Sequence, residues 1–193
     1  MKCVALTVGP QAVGKTTFCK NLAANIPGFE IVCRDDIHVE LFGGVDLSCY
    51  GDEHEEAMEL LWSRVAEIVS RPTCHLMLDT WNVSAKDRRE ITTRLKLLGA
   101  EHLEAWVFKL PWRVGIERHW ERERLRFQKH SRKGKENLLL KSAFRKQDMR
   151  GYKLHCLAMN RKAVTIHQGF SKVRMINVLE TNIRSFADTL GWT

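Results

Sequence analysis

The sequence predicts an α/β fold, a parallel β-sheet sandwiched by helices, within one domain spanning residues 1–193. Three observations carry that expectation. Short apolar, β-branched runs alternate with helical stretches, those runs stop at Gly, Pro or Asp, and a glycine-bounded turn joins the first run to the first helical stretch. Hydrophobic residues make up 44% and charged residues 28%, ordinary globular usage that excludes a disordered, collagen-like or disulfide-framework chain.

The elements follow in order. Lys2 to Val8 is the first strand, and Gly9, Pro10 and Gly14 interrupt the chain before a helix from Lys15 to Asn25. Phe29 to Cys33 is the second strand, with Arg34, Asp35 and Asp36 where the end of a parallel strand places residues that line sites. Between Asp52 and Arg71, the apolar Ala57, Leu60, Leu61, Val65 and Ile68 recur at helical spacing, and Pro72 ends that helix. Cys74 to Leu78 reads as a buried strand closed by Asp79. Ser84 with Asp87 three residues later opens a helix that reaches Leu98 and stops at Gly99. His102 to Leu110 is the fourth strand, bounded by Pro111, and Trp112 to about Lys129 is a charged helix. Residues 130–162 are basic and helical, Lys172 to Val178 is the last strand, and Thr181 to Leu190 the last helix.

The net charge of +8 is unevenly spread. Residues 1–108 carry 11 Lys/Arg against 16 Asp/Glu, whereas residues 109–162 carry 17 against 5. A cationic block of that size attracts polyanions such as nucleic acid or nucleotide phosphates; a solvated basic helix is the plainer alternative. The six cysteines show no CxxC spacing, which fits reduced thiols in a cytoplasmic protein without a structural metal. No apolar stretch approaches the roughly 20 residues that cross a bilayer, and no signal-peptide pattern follows Met1, so no membrane partner is expected.

Gly9-Pro10-Gln11-Ala12-Val13-Gly14-Lys15-Thr16 matches GxxxxGK[ST], between a strand and a helix as that pattern requires. Such a loop turns its backbone N–H groups around phosphate oxygens at the positive end of the following helix. Gly9 and Gly14 are expected to permit the backbone angles, with Gln11, Ala12, Val13 and Thr17 completing the cradle. Lys15 then reaches the β- and γ-phosphates of ATP, and the Thr16 hydroxyl ligates Mg²⁺. The fold class is therefore that of the P-loop NTPases and kinases, with residues 112–162 as a basic helical lid or substrate-binding subregion.

Transfer of a phosphoryl group to a hydroxyl needs a carboxylate that orients the acceptor and takes its proton. Asp35 is the expected base, while Asp36 caps a helix beginning at Ile37 or faces substrate. Asp79 helps hold Mg²⁺ or contacts the acceptor. Arg118, Arg122 and Arg126 drift only about 80° around a helix, so they share a face that can close over phosphates; a salt-bridged surface helix is the competing reading.

These residues resemble the 5′-hydroxyl kinase domains of the bacteriophage polynucleotide kinase family over residues 2–126. Leu6-Thr7-Val8-Gly9 enters the loop, Pro27-Gly28-Phe29 leads to Arg34-Asp35-Asp36, Asp79-Thr80 precedes Asn82, and Val107-Phe108 precedes Pro111-Trp112. The resemblance implies Asp35 as general base, Lys15 and Thr16 as nucleotide and Mg²⁺ ligands, Asp79 as an acceptor-side or metal-side carboxylate, and Arg118 and Arg122 as the lid arginines. Arg34, Asp36, His38, Trp81 and Asn82 are expected on the acceptor side with Asp79, and the acceptor would be DNA or RNA. The chain departs from the family where His38 replaces an arginine, where Trp81 is inserted, and in its longer basic region. Similar phage kinases phosphorylate the hydroxymethyl group of 5-hydroxymethyluracil in DNA. On that reading Trp81 or Trp112 supports an unstacked base, unless these rings pack the core. A small-molecule or nucleotide kinase and a nucleotide-gated binding protein are the remaining alternatives.

Overall fold

The computed structural model describes residues 1–43, 51–80, 82, 84–130, 150–154, 156 and 163–192, without the side chains of residues 123–130. Five parallel strands form one sheet: β1 (Lys2–Val8), β2 (Phe29–Cys33), β3 (Cys74–Asp79), β4 (His102–Lys109) and β5 (Lys172–Asn177), in the order β2-β3-β1-β4-β5. The helices are α1 (Lys15–Ala23), α2 (Arg34–Phe42), α3 (Asp52–Ser70), α4 (Ala85–Leu97), α5 (Trp112–His130) and α6 (Ile183–Asp188). A 3-10 turn, Ile166–Gln168, precedes β5.

Alternation along the strands builds a core on each face of the sheet. Val4 and Leu6 of β1, Leu76 and Leu78 of β3, and Leu103 and Ala105 of β4 pack against α3 and α4 through Leu61, Val65 and Leu95. The intervening residues Cys3, Ala5, Met77, Trp106 and Phe108 meet α1 through Phe18 and Leu22 on the opposite face. Each Val, Leu, Met or Phe among them contributes about 1.5–3 kcal/mol when fully buried. The stripe expected over residues 52–71 is the buried face of α3, extended by Trp62 and Val69.

One charged group lies inside this second core. Glu104 accepts hydrogen bonds from Arg174 Nε at 2.5 Å and Trp106 Nε1 at 2.8 Å. Burial alone would raise the Glu104 carboxyl, but the Arg174 and Trp106 hydrogen bonds outweigh it and hold the group below its ordinary range. The arrangement pins β5 in register, with Trp106 opposite Arg174.

Helix ends follow local chemistry. The Ser84 hydroxyl accepts from the Asp87 N–H at 3.0 Å, as the sequence predicted for the start of α4. At its other end Gly99, at φ +97°, lets its own N–H reach the Lys96 carbonyl and that of Ala100 reach Leu95, both at 3.0 Å. The start of α2 differs from expectation. The helix begins at Arg34 rather than Ile37, with Cys33 in an extended conformation as its cap and no side-chain capping bond. Asp36 is therefore not a cap. It lies with Asp35 in the first turn, where the exposed N–H groups favour negative charge. The last helix is shorter than expected, Ile183–Asp188, because Asn182 takes the capping position. Of the stretch 130–162 expected to be helical, the described residues are His130, which ends α5, and 150–154 and 156, all of them helical. No described helix is long and apolar enough to cross a membrane.

Candidate functional site

The phosphate loop leaves the C-terminal end of β1, the central strand, so neighbouring strands bring their own ends alongside it. The two glycines serve different purposes. Gly14 has φ +100°, which only glycine adopts freely, and caps α1. Gly9 is not left-handed. A Cβ there would stand 3.1 Å from both the Cβ and the carbonyl oxygen of Phe108, so this glycine gives space rather than the expected angle. The second left-handed residue of the loop is Ala12, at φ 57°. Val13 turns its side chain wholly into the core, which leaves only its backbone for a ligand.

Lys15 Nζ donates to the carbonyls of Gly9 at 3.1 Å and Pro10 at 3.0 Å. Burial lowers its pKa, while the charges of Asp79 and Asp35 oppose the shift and that of Arg122 adds to it. Lys15, both carboxylates and Arg122 thus share one electrostatic site. Thr17, beyond it, is exposed.

Register explains the acidic floor. Leu6 pairs with Leu78, and Cys33 pairs with Asp79, so the next residue of β1, Thr7, falls beside Asp79. Thr7 Oγ1 donates to Asp79 Oδ1 at 2.6 Å, and Thr16 Oγ1 donates to Asp79 Oδ2 at 2.6 Å. The Cys33 thiol, 3.9 Å from Oδ2, is pushed up to about 12 by burial and by Asp79, and stays protonated. Asp79 is only 6% exposed and Thr7 is fully buried.

Asp35 stands at the start of α2 with its side chain 46% exposed, and Arg34 donates to its Oδ1 through Nη2 at 2.9 Å and Nε at 3.3 Å. Asp36 instead pairs with Lys20 of α1 at 3.0 Å. The His38 ring is 2% exposed and stacks 6.3 Å from His54, which burial, Arg34 and His38 together push below its ordinary pKa. His38 thus lies beneath the surface that an acceptor would touch. Asn82 is engaged inside the protein, donating to the Thr7 carbonyl at 2.8 Å and accepting from Thr80 Oγ1 at 2.8 Å. Trp81 lies outside the described residues.

The charged helix brings two arginines to the loop. Arg122 Nη2 donates to Gln11 Oε1 at 3.1 Å, and Arg118 Nη1 lies 3.8 Å from where a Gly14 Cβ would stand. The Arg126 side chain lies outside the described set. Trp112 is half exposed, so it does not pack the core.

Several residues of the site escaped the sequence. Thr7 is hidden within an apolar run; its hydroxyl at the last-but-one strand position is the signal it carried. Arg88, fully buried, donates to the Asn82 carbonyl at 3.0 Å and to Gln168 Oε1 at 2.6 Å, and thereby braces the turn after β3. Tyr152 donates its hydroxyl to the Gln11 carbonyl at 3.1 Å and stacks on His119, 5.0 Å between centroids. No local pattern marks either.

The donor set suits Mg²⁺, a hard cation that takes oxygen ligands and keeps several waters: Thr16 offers a hydroxyl, with the Asp79 carboxylate directly behind it. Among the described residues no group of three or more His, Cys, Asp or Glu could hold a metal ion, so such a cation would rely on phosphate and water for its other ligands.

A kinase candidate from Chloroflexus aurantiacus superposes with TM-score 0.66 at 14% identity, over 98% of this chain and 93% of that one. A chain of the PezAT toxin–antitoxin system of Streptococcus pneumoniae gives 0.67 at 14% identity, over 98% and 77%. A chain of the Pnkp1/Rnl/Hen1 RNA repair complex gives 0.60 at 17% identity, over 84% of this chain and 46% of its own length. This protein therefore spans less than half of that repair-complex chain. At these identities the likeness is one of fold, a P-loop kinase-like sheet with flanking helices. No curated protein matches the sequence. The family model described as an AAA domain matches residues 4–146, most of the chain, and the protein belongs to that family.

Proposed function

We propose that the protein is an ATP-dependent kinase, with Mg²⁺ as cofactor, that transfers the γ-phosphate to a hydroxyl of nucleic acid in the manner of a polynucleotide 5′-hydroxyl kinase. The observation that carries this reading is an exposed carboxylate near the phosphate loop: Asp35 follows β2 at the C-terminal edge of the same sheet, its charge opposes the lowering of the Lys15 pKa, and its side chain remains 46% exposed. Such a carboxylate can meet an alcohol arriving from solvent.

The chain's own groups divide the work. Arg34 occupies Oδ1 of Asp35 and orients the carboxylate, so Oδ2 accepts the proton of the acceptor hydroxyl. The bond from the acceptor hydroxyl's oxygen to the γ-phosphorus forms, the bond from the γ-phosphorus to the β,γ-bridging oxygen breaks, and ADP leaves with that bridging oxygen. Lys15 exchanges its two loop carbonyls for phosphate oxygens, and Arg118 and Arg122 stabilise charge on the transferred group. Thr16 and Asp79 would hold Mg²⁺, which neutralises phosphate charge when bound. Residues 112–162 serve as lid and acceptor surface, and their excess of cations favours a polyanionic acceptor over a small neutral one.

The test is incubation with γ-labelled ATP and a panel of 5′-hydroxyl DNA, 5′-hydroxyl RNA, DNA containing 5-hydroxymethyluracil, and free nucleosides. Label on a polynucleotide is expected, at a terminal hydroxyl or on the hydroxymethyl group. Label confined to free nucleosides refutes the nucleic-acid reading. Asp35→Asn should lower transfer about 10²–10⁴-fold while sparing ATP binding; full activity in that variant removes Asp35 from the mechanism.

A further inference from the structure

Three of the described tryptophans are hidden: Trp62, Trp106 and Trp192 are 8%, 0% and 5% exposed. Trp112 is different. It opens α5 immediately after β4, at the sheet edge that carries the phosphate loop, and is 50% exposed. Two cations attend its ring. Arg113 Cζ lies 5.5 Å and Lys153 Nζ 6.0 Å from the ring centroid, within cation–π range.

Those two cations come from different segments, and both segments touch the loop. Arg118 and Arg122 follow Trp112 on α5, and Arg122 donates to the Gln11 side chain. Lys153 adjoins Tyr152, whose hydroxyl donates to the Gln11 carbonyl. Arg118, beside Gly14, is six residues along α5 from Trp112, a rise of about 9 Å. The ring therefore sits at the rim of the site, outside the loop itself.

We propose that Trp112, Arg113 and Lys153 form a platform on which an unpaired base of a single-stranded nucleic acid stacks, with the two cations meeting its flanking phosphates. The proposal rests on the nucleic-acid reading above and names the form of acceptor it takes. Every base has a π-face, so this contact holds the strand without reading its sequence. The two cations beside the ring are complementary in charge to the backbone of a strand. A membrane surface is the weaker fit, because among the described residues only Leu154 on the segment bearing Lys153 adds an exposed large apolar side chain there.

Fluorescence anisotropy of 3′-labelled single-stranded decathymidylate with the full chain, in the absence of ATP, tests the platform. Trp112→Ala should weaken binding about 5- to 100-fold, Trp112→Phe should retain most of it, and ATP affinity should stay unchanged in both. Wild-type protein should bind an abasic oligomer of the same length about as weakly as Trp112→Ala binds thymidylate. Circular dichroism of each variant excludes unfolding as the cause. Equal affinity of the wild type for abasic and ordinary oligomers overturns the platform and leaves nucleic-acid phosphorylation standing. Loss of ATP rather than oligomer affinity in Trp112→Ala overturns it in favour of adenine. Loss of binding only to anionic phospholipid vesicles overturns it in favour of a membrane. Wild-type protein that labels free nucleosides and binds no oligomer at low salt overturns both readings together.

Discussion

Replacing Thr7 by valine removes one hydroxyl and keeps the shape of the side chain. The residue is fully buried, and its hydroxyl donates to Asp79 Oδ1 at 2.6 Å. Asp79 is itself 6% exposed, so water is poorly placed to replace the lost donor. It keeps the Thr16 hydroxyl at 2.6 Å and the weaker Cys33 thiol contact at 3.9 Å, both on the other oxygen. A hydrogen bond to a charged group contributes about 1.5–3 kcal/mol, which sets the expected loss at about 2 kcal/mol. For a chain of this length that is a fall of about 4–8 °C in Tm. Urea denaturation followed by tryptophan fluorescence measures it, with an unchanged m value as the check that the unfolded state is the same. Thr7→Ser, which keeps the donor, should lose only about 1 kcal/mol through its missing methyl. In a cycle with Asp79→Asn the two effects should be coupled by about 1–2 kcal/mol. If Thr7→Val matches the wild type, or the two substitutions are simply additive, the hydroxyl does not brace the acidic floor.

Tyr152→Phe should leave the global midpoint within about 1 kcal/mol while raising hydrogen exchange in residues 150–154 and in the phosphate loop, because it removes the bond to the Gln11 carbonyl. Gly115→Ala should do the same by another route, since a methyl there would strike the Tyr152 hydroxyl; unchanged exchange in both variants breaks this reasoning. For pH, burial first and then Arg34 and His38 depress the His54 pKa, and burial depresses that of His75. Below their ordinary value of 6.5 the unfolded chain therefore takes up protons that the folded chain resists. Stability should fall as pH drops through 6.5 and level off once the folded rings titrate; His54→Gln should reduce that slope, and a denaturation midpoint flat between pH 7.5 and 5.5 would contradict it.

The parts legible in the sequence are those governed by neighbours along the chain. Gly14, Lys15 and Thr16 are tied by the geometry of one turn, Ser84 caps α4 through a residue three positions on, and the apolar stripe of α3 repeats at its own period. What escaped depends on groups far apart. Thr7 meets Asp79 across 72 positions, Arg88 meets Gln168 across 80, and Tyr152 meets Gln11 across 141. The start of α2 was misplaced because Cys33 caps it by backbone conformation alone, while Asp36 has the side chain of a cap and pairs with Lys20 instead. Gly9 carried the right residue type for a different reason, the close approach of Phe108.

The sheet order gives the two halves of the site unequal support. β1, from which the phosphate loop departs, is hydrogen-bonded to β3 on one side and β4 on the other, whereas β2, which leads into Asp35, is bonded among the described residues only to β3. A strand held along one border can tilt or fray without dragging the middle of the sheet, so β2 amides should exchange sooner than those of β1. On the function proposed above, natural variation can remodel the alcohol-receiving margin through β2 and α2 while the triphosphate grip stays rigid, and one scaffold can change its clientele without relearning how to hold its donor.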